Sequence, residues 1–251
     1  MVLINEWRKG KKLIESKINV NGVRNAVTSV DYGIEKFASI KLNKFDSNIG
    51  IFGEESFQND FSITHKSQYF VIDPIDGTNQ FINNDSDWSI SLCYVENGKP
   101  TVASIFMPDK NICVTAIKNK GFCINGVKNN ICIDFSKKIG ISPRQIKKQK
   151  YISMVDKTGL EPIHISSLTP KICCIVTGEV DAAVYFPQHG QSASLWDYAA
   201  AVLIIQEAGG KIISLSGREL PFSGIDVIHK DGWLATKSLE VYKNLIDCLK
   251  N

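Results

Sequence analysis

Helical spacing of apolar residues predicts five helices in this chain. The clearest, SLWDYAAAVLIIQEAGG at residues 194–210, is expected to open near Asp197, to have an alanine-rich apolar body and to stop at the glycine pair. Residues 31–42 predict a second helix, which Asp31 can cap. The other predicted helices cover residues 3–18, residues 172–178 and residues 238–250.

Apolar alternation and turn residues predict the strands. QYFVIDP, residues 68–74, is predicted to be a strand that must stop near Pro74, because proline donates no backbone hydrogen bond and restricts the residue before it. NIGIFGEES is expected to be a short strand that breaks at Gly53. The remaining predictions are a hairpin over residues 88–108 that turns at Asn97–Gly98, a hairpin over residues 111–128 that turns at Gly121 and Gly126, and strands over residues 151–155, 180–186, 211–217 and 232–238.

The order of these elements predicts a layered α/β or α+β fold, because strands and helices are mixed along the whole chain. The basic stretch FSKKIGISPRQIKKQK holds six lysines or arginines among few apolar residues, and we interpret it as a solvated connector rather than a nucleic-acid patch. We therefore place a boundary there, with an N-terminal half over residues 1–140 and a C-terminal half over residues 141–251.

Composition narrows the class of protein further. A net charge of +3 over 251 residues gives no argument for a nucleic-acid or membrane partner. No apolar run approaches the roughly 18 residues that a membrane span needs, and the first residues carry charges throughout, so we expect a cytoplasmic protein. The seven cysteines have irregular spacing and no CxxC pair, which predicts reduced core cysteines.

Candidate chemistry lies just outside the predicted elements. Converging carboxylates repel one another and are stable together only with cations. Oxygen ligands of this kind suit Mg²⁺, whose coordination is often completed by a substrate phosphate. Gly77 lets the backbone approach a ligand, and a helix beginning near Thr78 would direct free N–H groups at an anion. The carboxylates are Glu54 and Glu55 after the Gly53 break, Asp73 and Asp76 after the strand, and Asp197 at the opening of a helix.

Each carboxylate also has a purely structural interpretation. Asp76 and Asp197 can be helix N-caps, and Asp73 can end a strand beside a turn. Glu54 can be a surface carboxylate. The spacing of three between Asp73 and Asp76 differs from the alternating ligands of an EF-hand and from the Asp-x-Asp-Gly-Thr motif of haloacid-dehalogenase phosphatases. The four histidines are scattered, so no histidine base is indicated.

Five stretches, in order, resemble the inositol monophosphatase superfamily of Mg²⁺-dependent, lithium-sensitive phosphatases. This resemblance implies a layered α-β-α-β-α sandwich, a homodimer, two or three Mg²⁺ ions and a small phosphorylated substrate, with neither a nucleic-acid polymer nor a membrane as partner. The stretches are VTSVDYGIEK (27–36), GEES (53–56), VIDPIDGTNQF (71–81), KNKGFCING (118–126) and LWDYAAAVLIIQEAGG (195–210).

The resemblance also implies roles for individual residues. Glu54 and Asp73, with the carbonyl of Ile75, would hold the activating metal. Asp73, Asp76 and Asp197 would hold the second metal. Asp31 with Thr78 would orient the attacking water, and the N–H groups of Gly77 and Thr78 would bind the phosphate.

Departures from the family pattern leave the substrate open. No lysine counterpart is found in INVNGVRNAVT ahead of the Val-Thr-x-x-Asp motif, and YFPQHGQSASLWD lacks the glutamate that contacts inositol hydroxyls. SSLTPK resembles the Ser-Ser-Leu-Lys segment of bisphosphate nucleotidases with Thr169 and Pro170 inserted, which makes Ser166 and Ser167 candidate substrate contacts. The alternatives are a phosphorylated polyol such as an inositol phosphate, adenosine 3′,5′-bisphosphate, histidinol phosphate, or a non-catalytic member of the family.

Overall fold

Two main β-sheets, two smaller two-stranded pairs and eight helices make up the part of the chain that the structure describes. The computed structural model covers residues 2–10, 14–18, 24–130, 134–187 and 192–250. The helices are α1 (Val2–Lys9), α2 (Ser29–Phe45), α3 (Thr78–Ile82), α4 (Pro143–Ile146), α5 (Gln149–Asp156), α6 (Leu168–Val176), α7 (Leu195–Glu207) and α8 (Leu239–Lys250). Short 3₁₀ turns lie at Ser62–His65, Pro108–Lys110 and Ile225–Val227. The strands are β1 (Ile14–Ile18), β2 (Arg24–Thr28), β3 (Gly50–Gly53), β4 (Gln68–Asp76), β5 (Ser89–Glu96), β6 (Lys99–Met107), β7 (Ile112–Ile117), β8 (Gly121–Ile124), β9 (Val127–Asn129), β10 (Lys138–Ile141), β11 (Glu161–His164), β12 (Ala182–Tyr185), β13 (Ala193–Ser194), β14 (Lys211–Ser214), β15 (Ile228–His229) and β16 (Trp233–Thr236).

The larger sheet has seven strands in sequence order, β3-β4-β5-β6-β7-β8-β9. Its first pair, β3 and β4, is parallel, and the following pairs are antiparallel. The second sheet has five strands in the order β11-β10-β12-β16-β14. Two antiparallel two-stranded pairs, β1 with β2 and β13 with β15, lie apart from the main sheets.

Helix α7 lies between the two main sheets. It contacts β4 to β8 of the larger sheet and β14 of the smaller one, and it packs beside α6. Ten of its thirteen residues are buried, as expected for a helix that is apolar on every side because it is covered from both directions. Helix α2 packs on the other face of the larger sheet, and α8 packs on β16 with α5 beside it. The layers therefore alternate α-β-α-β-α, and the predicted α+β fold class is confirmed.

Helix α1 packs against α3, the short helix that follows the Asp73–Asp76 segment. The ring of Phe81 lies 4.6 Å from that of Trp7 and 4.9 Å from that of Trp88, measured between centroids. Arg8 donates two hydrogen bonds to the carboxylate of Asp109, at 2.8 and 2.6 Å. Trp88 Nε1 donates to the same carboxylate at 2.6 Å. The rings of Trp7 and Trp88 thus hold Phe81 of α3 in place. Asp109 in turn links Arg8 to Trp88.

The predicted helix over residues 3–18 is correct only at its start. Helix α1 ends at Lys9, and residues 14–18 form β1, which pairs antiparallel with β2. Ile14 and Ile18 are exposed, so the apolar residues that suggested a continuing helix cover no helical face. Backbone pairing with a partner strand decides the conformation of this segment instead.

Two further boundaries differ from the sequence predictions. Residues 151–155, predicted as a strand, lie in α5, where Tyr151 stacks on Phe186 with centroids 4.4 Å apart. A five-residue apolar run is compatible with either conformation, and its packing decides between them. Strand β4 does not stop at Pro74 but continues to Asp76. Its pairing with β5 is irregular between Asp73 and Asp76, and this irregularity accommodates the proline.

The basic stretch at residues 135–150 is not a solvated connector, because it contains β10. Ile139 and Ile141 are fully buried, and β10 pairs with both β11 and β12. The prediction was wrong because the strand has only four residues and the lysines and arginine on either side of it give the whole stretch a polar composition. Residue 140, the predicted boundary, lies within β10, and the division into two halves stays a prediction.

A buried ion pair ties the start of this stretch to the smaller sheet. Lys237 Nζ lies 2.6 Å from Asp181 Oδ1, and both side chains are almost fully buried. Asp181 also accepts the backbone N–H groups of Ser136 and Lys137. The pair thus holds the backbone just before β10.

We expect Lys237→Met to lower the free energy of unfolding by about 3 kcal/mol, because it leaves the carboxylate of Asp181 buried without its counter-ion. Arg218→Met is the matched control, since the Arg218–Asp231 pair is exposed and is expected to contribute less than about 1 kcal/mol. Urea unfolding curves of the three proteins measure both effects. Equal losses in the two variants would contradict the prediction.

The prediction of core cysteines is met in part, because Cys93, Cys173 and Cys174 are buried, whereas Cys113, Cys123 and Cys248 are only partly buried. Six are present in the described residues as free thiols, namely Cys93, Cys113, Cys123, Cys173, Cys174 and Cys248, while Cys132 lies outside the described residues.

Among the described helices, none combines the length and the apolar character needed to cross a membrane.

Candidate metal centre and active site

A bulge at the end of β4 brings two aspartates to the same side of the strand. Asp73 faces Ser91 on β5, and Asp76 faces Ser89, so β4 advances three residues while β5 advances two. Residues three apart on a regular strand point to opposite faces, and one extra residue reverses this parity. The Asp-Pro-Ile-Asp spacing is therefore the spacing that lets both carboxylates converge.

Asp73 and Asp76 meet Asp197 from α7. Carboxylate oxygens of the three residues all lie within 4.8 Å of one another. Asp73 Oδ1 is buried and has no hydrogen-bond partner in the described part of the chain. Burial raises the pKa of Asp73 well above its usual range, and the carboxylates of Glu54, Asp76 and Asp197 raise it further. Three crowded oxygen donors, one of them unsatisfied, fit a hard divalent cation.

The backbone before α7 orients Asp197. Asp197 is the third residue of the helix rather than its cap, and its Oδ2 accepts the backbone N–H of Ser194 at 2.6 Å. The pKa of Asp197 is raised well above its usual range, first by burial and then by Asp76 and Glu54. The first turn of the helix thus fixes the side chain, and the other carboxylate oxygen of Asp197 is left to face Asp73 and Asp76.

Thr169 holds Asp76 and was missed in the sequence. Its backbone N–H and its hydroxyl donate to Asp76 Oδ2, at 2.5 and 2.7 Å. Thr169 Oγ1 also lies 2.5 Å from Ser89 Oγ, so β5, α6 and the aspartate are linked. The inserted Thr169 in SSLTPK, taken as a departure from the nucleotidase segment, therefore positions an acid of the cluster.

Glu54 and Glu55 follow β3 and share a lysine that the sequence search also missed. Lys17 Nζ lies 3.0 Å from Glu54 Oε1 and 2.5 Å from Glu55 Oε1. Lys17 lies one residue before the segment INVNGVRNAVT, in which a family lysine was sought. Burial, followed by the charge of Glu54, raises the pKa of Glu55 to about 7. Burial lowers the pKa of Lys17, but the two glutamates outweigh it and the net shift is upward.

Asp31 lies at the start of α2 and contacts Thr78. Thr28, not Asp31, is the N-cap of α2, and Asp31 Oδ2 accepts the backbone N–H and hydroxyl of Thr28 at 2.8 and 2.5 Å. The hydroxyl of Thr78 lies 3.3 Å from Asp31 Oδ1 and 3.2 Å from the carbonyl oxygen of Ile75. One hydroxyl hydrogen serves both acceptors, so neither contact is strong. Burial is the main cause that raises the pKa of Asp31 to about 6.

Gly77 lies directly against Ser167. Gly77 has a φ of 99°, and a Cβ at this position would be 2.2 Å from Ser167 Oγ, so both the backbone and the space require glycine. Ser167 is buried, and its hydroxyl has no hydrogen-bond partner in the described part of the chain. Ser166 and Ser167 both face the cavity beside Gly77 and Thr78.

Glu35 on α2 supports the turn that carries Glu54 and Glu55. Its buried carboxylate accepts the backbone N–H groups of Glu55 at 2.8 Å and Ser56 at 2.9 Å. A Cβ at Gly53 would lie 2.5 Å from this carboxylate, so the strand must end in glycine to admit it. The sequence held one signal for this role. Glu35 lies four residues after Asp31 in the predicted helix, and residues four apart share one helix face.

We expect Glu35→Gln to weaken divalent-cation binding at this group of acids by about tenfold, because its amide group would face an N–H donor and displace Glu54. A calorimetric titration with Mg²⁺ measures this effect. Glu240→Gln, on the exposed start of α8, is the control and is expected to leave the titration unchanged. An unchanged titration in Glu35→Gln would show that Glu35 does not position the turn.

These groups line one cavity of about 630 Å³. The acids form one end of it, and the Gly77–Thr78 turn lies beside them. The wall continues through Ser166 and Ser167 to the start of α4. The candidate residues from the sequence that line the cavity are Glu54, Glu55, Asp73, Ile75, Asp76, Gly77, Thr78, Ser166, Ser167 and Asp197.

A family profile matches nearly the whole chain. The profile described as the inositol monophosphatase family covers residues 2–246. The chain belongs to the inositol monophosphatase family. The resemblance found in the five sequence stretches is therefore confirmed.

Curated relatives agree with the family assignment, and a solved structure shares the fold. The chain is 25% identical over 229 residues to a Thermotoga maritima protein named fructose-1,6-bisphosphatase/inositol-1-monophosphatase, covering 90% of this chain and 86% of that one. It is 26% identical over 206 residues to a 3′(2′),5′-bisphosphate nucleotidase CysQ of Buchnera aphidicola, covering 78% and 74%. A crystal structure of the extragenic suppressor protein SuhB from Bartonella henselae superposes with a TM-score of 0.80 at 19% identity, covering 100% of this chain and 92% of that chain. The relatives' names cover several substrates, so the family match supports phosphatase chemistry without selecting the substrate.

Proposed function

We propose that this protein is a Mg²⁺-dependent phosphatase that hydrolyses the phosphomonoester of a small phosphorylated polyol, such as an inositol phosphate. The observation that carries the proposal is the convergence of Asp73, Asp76 and Asp197 beside the Gly77–Thr78 turn. A cation site next to a turn that can bind an anion is the equipment needed for phosphoryl transfer to water.

The carboxylates would hold the metal ions in two overlapping groups. Asp73 with Glu54 and the carbonyl of Ile75 would form one site, and Asp73 with Asp76 and Asp197 would form the other. The unsatisfied Oδ1 of Asp73 and the raised pKa values of the three aspartates support metal occupancy, because a cation relieves both. When bound, two or three Mg²⁺ ions would supply the positive charge that activates water and stabilises the leaving oxygen.

The chain's own groups would orient the reactants. Asp31 would accept a proton from the attacking water, and the hydroxyl of Thr78 would hold that water in line with the phosphorus. Asp31 is held by Thr28, so its second oxygen remains directed toward Thr78. Backbone N–H groups of Gly77 and Thr78 would bind the phosphate oxygens, and the free hydroxyl of Ser167 lies beside them.

Hydrolysis of adenosine 3′,5′-bisphosphate is the second candidate activity. A cavity wall that carries an arginine without a counter-ion in the described residues, Arg144, favours a substrate with more negative charge than a monophosphate. Histidinol phosphate is a third candidate with the same metal chemistry. A homodimer and lithium sensitivity are proposals that rest on the family resemblance, and a cytoplasmic location is a proposal that rests on the pattern of apolar and charged residues.

A phosphate-release panel tests the proposed function. It would offer inositol 1-phosphate, adenosine 3′,5′-bisphosphate, fructose 1,6-bisphosphate and histidinol phosphate, each with Mg²⁺ and each with chelator. We expect Mg²⁺-dependent release from at least one of them. Absence of release from all four, in a protein shown to be folded by circular dichroism, would contradict the proposal and favour a non-catalytic role.

A further inference from the structure

Two cationic side chains line the cavity in the part of the chain described, and they differ in their partners. Lys17 contacts both Glu54 and Glu55. Arg144, on α4, is exposed, and it has no ion pair or hydrogen-bond partner among the described residues. Its guanidinium is therefore available to a ligand in the cavity.

Helix α4 is fixed on both sides of Arg144. Gln145 is buried, and its amide donates to the carbonyl oxygen of Phe186. Ser142 Oγ donates to the carbonyl oxygen of Ser166 at 3.1 Å, which joins α4 to the Ser166–Ser167 wall. Arg144 thus extends from a rigid backbone, which lowers the entropy cost of holding a ligand.

A third cationic side chain, which is buried, lies behind the same wall. Lys171 on α6 is fully buried, and its Nζ donates to Ser142 Oγ at 2.8 Å and to the carbonyl oxygen of Ser167 at 3.3 Å. No carboxylate of the described residues lies within ion-pair distance of this ammonium group, so its charge is not cancelled by direct contact. The cavity is therefore lined by the aspartates and, on the wall that Ser142 joins to Ser166, by Arg144, with the buried Lys171 behind Ser142.

We propose that Arg144 forms a subsite for a second phosphate group of the substrate, distinct from the phosphate that is cleaved. The inference rests on the proposed function, which places the cleaved phosphate at the aspartates and the Gly77–Thr78 turn. A planar guanidinium can bind a phosphate through two parallel hydrogen bonds, and its charge matches a group that stays ionised. The preferred substrate class is then a small bisphosphate, bound across the cavity with Ser166 and Ser167 between its two ends.

Matched substrate pairs test this subsite. Each pair shares a scaffold and differs by one phosphate: adenosine 3′,5′-bisphosphate with adenosine 3′-monophosphate, and fructose 1,6-bisphosphate with fructose 1-phosphate. For at least one pair, the wild-type protein should show the higher kcat/KM for the bisphosphate. Arg144→Ala should lower the ratio of the two kcat/KM values by about tenfold or more, mainly through KM, and Arg144→Lys should restore part of it.

Lys147→Ala is the matched control, because Lys147 follows the same helix and is exposed but does not line the cavity. It should leave the ratio unchanged. A wild-type protein without preference for either bisphosphate, or an equal change in Arg144→Ala and Lys147→Ala, would overturn the proposal.

A binding measurement separates this proposal from the proposed function. Calorimetry would follow each of the two bisphosphates binding to wild type and to Arg144→Ala with Ca²⁺ in place of Mg²⁺. At least tenfold weaker binding to the variant supports the subsite even if no substrate of the panel releases phosphate. Equal affinities for both proteins, or no binding to either, would overturn it.

Discussion

Asp73→Asn is expected to lower Mg²⁺-dependent phosphate release by about 1,000-fold or more while the protein keeps its fold. Asp73 belongs to both proposed metal sites, so its loss weakens each of them. Loss of the electrostatic stabilisation that a metal supplies is worth several kcal/mol, and each 1.36 kcal/mol is a factor of ten in rate. The fold should survive, because the asparagine has nearly the same volume and removes one charge from a crowded group of carboxylates.

Thermal unfolding with and without Mg²⁺ separates loss of metal binding from loss of folding. Wild type should gain about 2.7 kcal/mol at a free Mg²⁺ concentration of 100 times Kd, and Asp73→Asn should lose most of this gain. Without metal, the variant should unfold at a temperature no lower than wild type. Asp156→Asn, an exposed substitution at the end of α5, is the control for both measurements. A fully active Asp73→Asn protein would overturn the metal assignment.

Asp31→Asn is expected to lower kcat by about 10² to 10⁴-fold while the stabilisation by Mg²⁺ remains. The amide cannot accept a proton from water at neutral pH, and it can offer only one acceptor atom to the partners that Asp31 serves with two. Thr28 and Thr78 contact different oxygens of the carboxylate, so the substitution disturbs either the capping of α2 or the contact with Thr78. Metal binding should persist, because Asp31 is not among the proposed ligands.

A double-mutant cycle with Thr78→Ala tests whether the two residues act together. If both position one water, the double variant should be little slower than Asp31→Asn alone, since residues that act as a unit have non-additive effects. Additive losses would show that Asp31 and Thr78 act independently. An unchanged kcat in Asp31→Asn, with the substrate that wild type prefers, would remove Asp31 from the proposed mechanism.

Much of the candidate site could be predicted because its signals are local. Gly77 and Thr78 follow Asp76 directly, and the Asp73–Asp76 spacing contains the bulge that makes the two side chains converge. The alanine-rich pattern of α7 likewise places Asp197 at a helix start, within two residues of its observed position in the helix. Such features depend on neighbouring residues only, so a single sequence is enough to find them.

The supporting residues could not be found in this way. Lys17, Glu35 and Thr169 each contact the acids from an element that is distant in sequence, and their partners are visible only after the layers have packed. Arg144 was counted with a basic surface stretch, although the same stretch contains a buried strand and one wall of the cavity.

The sequence by itself therefore determined the family, the layered fold class and the acids that converge, since these follow from motifs and from periodic patterns. Tertiary structure decided the conformation of residues 14–18 and 151–155, the burial of β10 and the partners of every carboxylate. The physical reason is that short apolar segments have no strong intrinsic preference, so packing and strand pairing select their conformation. A carboxylate's pKa and orientation likewise depend on the charges and donors that folding brings to it.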